Sequence, residues 1–466
     1  MCDLRKNDVI PLEINDMNNL GYGIGRHSGI VVFVRGAAAG DVIECRIIKV
    51  NKSYCIGRCE KIITPSPHRT SRAFCTAPAG CGGCVYRNII YEYELKLKRD
   101  FVASCFRRVG LPDVRVEQVR PTGAITGYRN KAQYPVGSTP DGRLLAGMYA
   151  AGTHRIAGGV DCPLQPAVFA DIADRICNFG TEHRITAYDE TTGEGVLRHI
   201  YLRLAEATGE IMVCLVINQD FLPGARKLAS MLMAEFPGIV GVLLNINKER
   251  TNVVLGREFV TVAGRDYIED VLCGLRFRIA PDSFYQVNHA GAELLYTIAR
   301  EKATGAKGTN RGTLLDLYCG AGTIGLVMAG DFDEVIGIEI VPSAVGCARF
   351  NAKLNGIENA SFYCGDAADA GGLLGMAERE LGREIEGDVT AVIDPPRKGV
   401  APELIEYLAG RGIGRVVYVS CAPDTLARDC ALFAELGYQI GEVTPVDMFP
   451  RTGHVECVTL MSRVEK

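Results

Sequence analysis

Apolar and polar positions alternate in short runs between residues 9 and 64: Val9-Ile10-Pro11-Leu12-Glu13-Ile14, Ile30-Val31-Val32-Phe33-Val34 and Val42-Ile43-Glu44-Cys45-Arg46-Ile47-Ile48. A period of two turns one face of each run inward, and the Gly-rich turns between runs predict a small β-barrel. Thr64-Pro65-Ser66-Pro67 ends the unit as a stiff linker. A basic run over residues 91–108 predicts a helix. Residues 123–275 carry strand-like segments such as Ile200-Tyr201-Leu202-Arg203-Leu204 and an amphipathic helix near 224–236, an α+β pattern. From Leu275 onward the order becomes strand, Gly-rich turn, helix, strand, which predicts a doubly wound, Rossmann-like α/β domain. These changes of period divide the 466 residues into 1–66, 67–278 and 279–466.

Composition sharpens this only in places. Hydrophobic residues at 47% and charged residues at 23% describe an ordinary globular chain and exclude long disorder. No stretch approaches the roughly 18 apolar residues of a membrane span, and the N-terminus lacks an apolar export core, so the cytoplasm is the expected location. Eighteen cysteines in such a chain read as reduced thiols; Cys177, Cys214, Cys273 and Cys347 have apolar neighbours and read as small core residues. A net charge of -4 argues weakly against a polyanionic partner, but residues 58–131 hold 14 Lys or Arg against 6 Asp or Glu. That stretch can track phosphates, or it is a solvated basic helix face.

Candidate cofactor chemistry begins at Thr313-Leu314-Leu315-Asp316-Leu317-Tyr318, a short strand running into Cys319-Gly320-Ala321-Gly322-Thr323-Ile324-Gly325. Glycines allow close approach of a ligand and the following helix N-terminus supplies free N–H donors, which suits a nucleotide of either the NAD or the S-adenosylmethionine kind. The next strand ends in Glu339, 19 positions after Gly320, where a carboxylate can accept ribose hydroxyls. Two further strands end at Asp366 and Asp394. An acidic rim of Asp316, Glu339, Asp366 and Asp394 disfavours a pyrophosphate and favours a sulfonium, so S-adenosylmethionine is the expected cofactor.

A further strand, Arg415-Val416-Val417-Tyr418-Val419-Ser420, delivers Cys421 to the same sheet edge. Beside a sulfonium this thiol is expected to ionise below its reference value of about 8.5. Carbon 5 of uracil is a poor nucleophile, and adding a thiolate at carbon 6 makes an enolate able to take a methyl group. The last strand, residues 453–460, places Glu456 near the sheet edge beside the turn that carries His454. Glu456 can remove the carbon 5 proton; His454 competes for that role. Ser283-Phe284-Tyr285-Gln286-Val287-Asn288 either caps the next helix or touches the ligands.

Phe284-Tyr285-Gln286-Val287-Asn288, Asp316-Leu317-Tyr318-Cys319-Gly320, Asp394-Pro395-Pro396-Arg397, Val419-Ser420-Cys421-Ala422-Pro423 and His454-Val455-Glu456-Cys457 resemble, in order, the motifs of the RNA 5-methyluridine methyltransferase family. The resemblance covers essentially the whole chain. It implies Cys421 as nucleophile and Glu456 as base, with Gln286, Tyr318, Thr323, Glu339, Asp366 and Asp394 lining the cofactor and uracil sites. Thr323 departs from several relatives, which carry Asn. Val32-Phe33-Val34, Gly40-Asp41 and Pro65-Ser66-Pro67 resemble a TRAM domain, an OB-like RNA-binding barrel.

Cys75, Cys81 and Cys84, spaced C-x5-C-x2-C, can bind zinc or an iron–sulfur cluster if a fourth thiolate joins, and Cys162 in Asp161-Cys162-Pro163 is the natural fourth. Spacing leaves the metal open. The pattern resembles the family's ribosomal RNA branch, which implies a [4Fe-4S] cluster and 23S ribosomal RNA as substrate, with no obligate protein partner and a monomer. Transfer RNA is the alternative substrate. A radical methylthiotransferase also combines such a barrel with a cluster, but its spacing is C-x3-C-x2-C and it lacks the Gly-loop domain. A non-catalytic RNA-binding protein is the remaining alternative, and the intact Cys421 and Glu456 argue against it.

Overall fold

The computed structural model describes residues 4–71, 75, 77, 80–305 and 312–464. Strands Val9–Met17, Tyr22–His27, Ile30–Arg35, Val42–Val50 and Tyr54–Thr64 close into a five-stranded barrel, as the alternation predicts. Val32, Val34, Ile43, Cys45 and Cys55 fill its interior with no exposed surface. The linker is tied down: Ser66 N–H donates to Asp41, and Arg69 forms a salt bridge to the same buried carboxylate at 2.6 Å.

A six-stranded sheet forms the middle of the molecule, in the order Glu258–Gly264, Ile239–Ile246, Ile211–Ile217, Leu197–Leu204, Lys131–Ser138, Leu144–Ala146. Its central strands are buried along almost their whole length because their two faces serve different cores. Ile200, Leu202, Val213 and Leu215 pack under helices Val168–Glu182 and Ala225–Glu235. Tyr201, Met212, Cys214 and Leu243 point the other way, into a core shared with Leu295, Tyr296 and Leu314 of the C-terminal region. A strand covered on both sides reads as a continuous apolar run. Of the four cysteines read as core residues, Cys177 and Cys214 are buried, whereas Cys273 and Cys347 are only partly so.

The third sheet has parallel strands in the order Ala360–Cys364, Glu334–Glu339, Thr313–Leu317, Val389–Ile393, Arg415–Ser420, followed by antiparallel Glu456–Arg463 and then Thr444–Asp447. Thr313–Leu317 lies between the next strand in the chain, Glu334–Glu339, and the third after it, Val389–Ile393, so the order reverses there and opens a ligand crevice at the carboxyl ends. The short strand Arg120–Pro121 extends the far edge by pairing with Thr444–Asp447. Helix Tyr91–Arg108 buries Val102, Cys105 and Phe106 against Leu404, Leu426 and Phe433 of the same domain. An arm of the middle segment is thus built into the C-terminal sheet.

Candidate active site and cysteine cavity

The cofactor loop is shaped by its own carboxylates. Gly322 takes φ +78°, open to glycine, and precedes helix Thr323–Met328. Tyr318 takes φ +68° directly after its strand, a conformation that costs a non-glycine residue energy and commonly marks a functional turn. Glu339 accepts from the N–H groups of Gly320 at 3.0 Å and Val341 at 2.9 Å, which leaves each oxygen a lone pair for a ligand hydroxyl. Asp366 is exposed and caps a short turn through Ala368 N–H.

Asp316 does not face the crevice as the sequence suggests. It is fully buried beneath the loop and accepts from Gly325 N–H at 2.8 Å, while its Oδ1 has no hydrogen-bond partner among the described residues. Burial, reinforced by the charge of Glu339, pushes its carboxyl up to about 7 against the Gly325 hydrogen bond. Thr323 is also engaged within the protein, its hydroxyl 3.2 Å from that of buried Tyr296. The two possibilities for residues 283–288 divide between neighbours. Asn288 caps helix His289–Thr304 through Gly291 N–H, whereas Gln286 is buried, with its backbone carbonyl accepting from the Asn130 side chain.

Across the sheet, Ser420 pairs with Cys457, so Cys421 and Glu456 stand side by side where strand Arg415–Ser420 ends and strand Glu456–Arg463 begins. Asp394 follows the adjacent strand Val389–Ile393. Glu456 is 4% exposed; burial, then the charge of Asp394, pushes its carboxyl up to about 8, with Arg397 opposing. Asp394 rises to about 7 through burial and the charge of Asp316. Burial and the charges of Glu456 and Asp394 push the half-buried Cys421 thiol up to about 11, while Arg397 pulls down by charge and by a hydrogen bond.

Arg397 is the residue that sequence reasoning passed over. It touches Cys421 and its charge reaches Glu456 and His454. Its signal was present, a cation three residues past an acidic strand end. His454, the rival base, is exposed, packs edge-on against Phe449 and lies on the wall of a separate cavity. Partial desolvation and three nearby cations, Arg397, Lys98 and Arg129, keep its imidazole below the usual value.

The family model described as tRNA (uracil-5-)-methyltransferase covers residues 201–464, and a TRAM domain model covers residues 4–59. An uncharacterized RNA methyltransferase of Clostridium acetobutylicum is 39% identical over 99% of both chains. The chain belongs to the tRNA (uracil-5-)-methyltransferase family. A second relative, from Bacillus cereus and also described as an uncharacterized RNA methyltransferase, is 38% identical over 99% of this chain and 98% of its own. Among solved structures, the Pyrococcus abyssi tRNA (uracil-54, C5)-methyltransferase in complex with S-adenosyl-L-homocysteine superposes with a TM-score of 0.76, 26% identity, and coverage of 97% of this chain and 100% of that one. Membership makes the protein an S-adenosylmethionine-dependent RNA uracil-C5 methyltransferase.

In this methyltransferase the cysteines of the C-x5-C-x2-C run and Cys162 meet around one cavity of about 490 Å³, which Arg87, Arg129 and His454 also line. Cys84 feels the charges of Cys162, Cys81 and Cys75, and burial lifts it to about 12; Cys162 is raised by burial as well, against a hydrogen bond from Leu164 N–H. Ala77 N–H donates to Cys75 Sγ at 3.2 Å. Among the described residues, no three His, Cys, Asp or Glu side chains converge tightly enough to hold a single metal ion.

Proposed function

We propose that this methyltransferase acts on a uridine of 23S ribosomal RNA, with Cys421 adding to carbon 6 and Glu456 removing the carbon 5 proton. The observation that carries this reading is the side-by-side placement of Cys421 and Glu456 at a sheet edge that also holds Asp394 and Arg397. S-adenosylmethionine supplies the methyl group. Glu339, Asp366, Tyr318 and Thr323 would hold its nucleoside end, with Asp394 and Gln286 toward the uracil. The target base must leave its stack for carbon 6 to be reached. Cys421 gives its proton to solvent, and Arg397 stabilises the thiolate that remains. The sulfur–carbon 6 bond forms as the ring π electrons move to carbon 5 and oxygen 4, and carbon 5 would then take the methyl group while the pair of the broken bond stays on the donor's sulfur. Glu456 accepts the carbon 5 proton, the double bond returns and the sulfur leaves. A buried carboxylate of raised pKa is a stronger base than an exposed one.

The same reading gives Cys75, Cys81, Cys84 and Cys162 a [4Fe-4S] cluster. The meeting of four thiols around one cavity supports this assignment. The N–H donors to Cys75 and Cys162, and Arg87 and Arg129 on the wall, compensate anionic thiolates. Such a group would tie the 75–84 loop to the Cys162 turn. Zinc alone in anaerobically purified protein would overturn this assignment. We propose 1–66, 67–278 and 279–466 as domains, with helix Tyr91–Arg108 and strand Arg120–Pro121 of the middle one built onto the C-terminal sheet, in a cytoplasmic monomer. No described helix is long and apolar enough to cross a membrane.

Transfer RNA is a second reading, favoured by the Pyrococcus relative, which acts on tRNA uracil-54. Mapping 5-methyluridine in RNA from cells with and without this protein decides between them. Loss of a 23S site supports the proposal, and loss of a tRNA site with 23S unchanged overturns it.

A further inference from the structure

Residues 448–455 form neither helix nor strand, yet they connect Thr444–Asp447 to the strand that begins at Glu456. Such a segment could wander, but this one is gripped from behind by a helix that lies about 350 residues earlier in the chain. Lys98, on helix Tyr91–Arg108, is 1% exposed, and its ammonium donates to Glu94 Oε1 at 2.9 Å, Asp447 Oδ1 at 2.6 Å and the Phe449 carbonyl at 3.1 Å. Three donors meet three acceptors, so the cation is fully satisfied without water. Arg451 completes the arrangement: its N–H donates to Glu94 Oε1 at 2.6 Å, and its guanidinium to Glu94 Oε2 at 3.3 Å and the Ile89 carbonyl at 2.8 Å. Tyr91 donates to the other oxygen of Asp447 at 2.8 Å. Two cations and two carboxylates therefore balance in the interior.

The network sits next to the base. Glu456 pairs across the sheet with Val446, and Asp447 is the following residue. Arg451 takes φ +72°, and two residues on, Gly453 lies so close to the barrel that a Cβ there would stand 1.7 Å from the Asn19 carbonyl. The turn is thus pinned between helix, barrel and sheet. Well-packed apolar side chains could hold the helix as firmly as buried ions do, so stability alone does not account for the network. What directed ammonium bonds add is a defined geometry at Asp447 and Phe449.

We infer that Lys98 is a positioning residue for Glu456: it fixes the turn that sets where the carboxylate meets the carbon 5 proton. This rests on the reading of Glu456 as base.

The test compares wild type with Lys98→Met, the charge-balanced double variant Lys98→Met/Asp447→Asn, which keeps the Glu94–Arg451 pair, Tyr91→Phe and Glu456→Gln. Each acts on total RNA from cells lacking the protein, with labelled S-adenosylmethionine, and covalent protein–RNA adduct is followed on denaturing gels beside thermal unfolding. Lys98→Met leaves buried Asp447 without its cation, so its melting temperature falls. The double variant melts near wild type and forms adduct at the wild-type rate, but releases it roughly tenfold to a hundredfold more slowly, the scale of a misplacement of about 1 Å. Tyr91→Phe, which removes one hydroxyl, slows release by a smaller factor without a change in melting temperature. If neither Tyr91→Phe nor the double variant slows release, or if formation and release fall by the same factor, the inference is wrong. Prompt turnover by Glu456→Gln would instead remove the base reading itself. A trapped adduct in Glu456→Gln with normal release in the other variants would sink the role of Lys98 alone.

Discussion

If Glu456 is the base, the fraction of enzyme caught as covalent adduct must depend on pH in a way set by two groups with different titrations. Burial and Asp394 hold the Glu456 carboxyl near 8. At pH 6 it is about one-hundredth ionised and at pH 8 about half, so release should quicken about fiftyfold over that interval and level off above it. The Cys421 thiol stands near 11, so adduct formation should rise about tenfold per pH unit through pH 9 and beyond. Below pH 8 the two rates climb together and the adduct fraction stays nearly flat. Above pH 8 formation outruns release and adduct accumulates. Asp394 and Asp316 titrate near 7 in the same cluster, so the observed midpoint belongs to the group as a whole. Single-turnover reactions quenched between pH 6 and 9 and resolved on denaturing gels measure both phases. Release that is flat across this range, or that titrates near the ordinary glutamate value of about 4.3, would refute the assignment.

Other outcomes follow from the same geometry. Cys421→Ala should abolish both methyl transfer and the adduct with 5-fluorouridine-substituted RNA, whereas Glu456→Gln should methylate and then release slowly; full activity of the first variant sinks the mechanism. Arg397→Gln removes the cation that lowers both Cys421 and Glu456. Because Arg397 is exposed, its effect is screened to about one pH unit, so adduct formation near pH 7 should slow about tenfold and recover when the pH is raised by about one unit. A loss that pH does not repair would mean a steric role. Stability should fall as pH rises from 6 to 8. Asp316, Asp394 and Glu456 have folded values above their unfolded ones, so the fold binds more protons than the unfolded chain, and the stability that protonation confers is lost on the way up. Melting temperatures at the two pH values check the sign, and Glu456→Gln should flatten the slope.

Much of this was legible locally. Alternation with period two sets which face of a strand is inward, and it marked the barrel because each barrel strand has one wet face and one dry face. Strand ends at Asp394, Glu339 and Cys421 could be located because an apolar run stops where backbone leaves the sheet. The same pattern could not tell that strand Leu197–Leu204 serves two cores at once, since a residue covered from either side looks equally apolar. Nor could it show that Thr323 is taken up by Tyr296, or that Arg120–Pro121 joins a sheet whose other strands lie beyond residue 312.

The chain by itself determined the order of the elements and the kinds of side chain delivered to the sheet edge, because secondary structure and its faces depend on neighbours a few residues away. Tertiary structure alone decided the electrostatics. The rise of the Cys421 thiol, the raised carboxyl of Glu456, the burial of Asp316 away from the crevice and the satisfaction of Lys98 all depend on desolvation and on charges from strands and helices remote in the chain. A Coulomb interaction and a dry environment are properties of distance in space, and no spacing along the sequence encodes them.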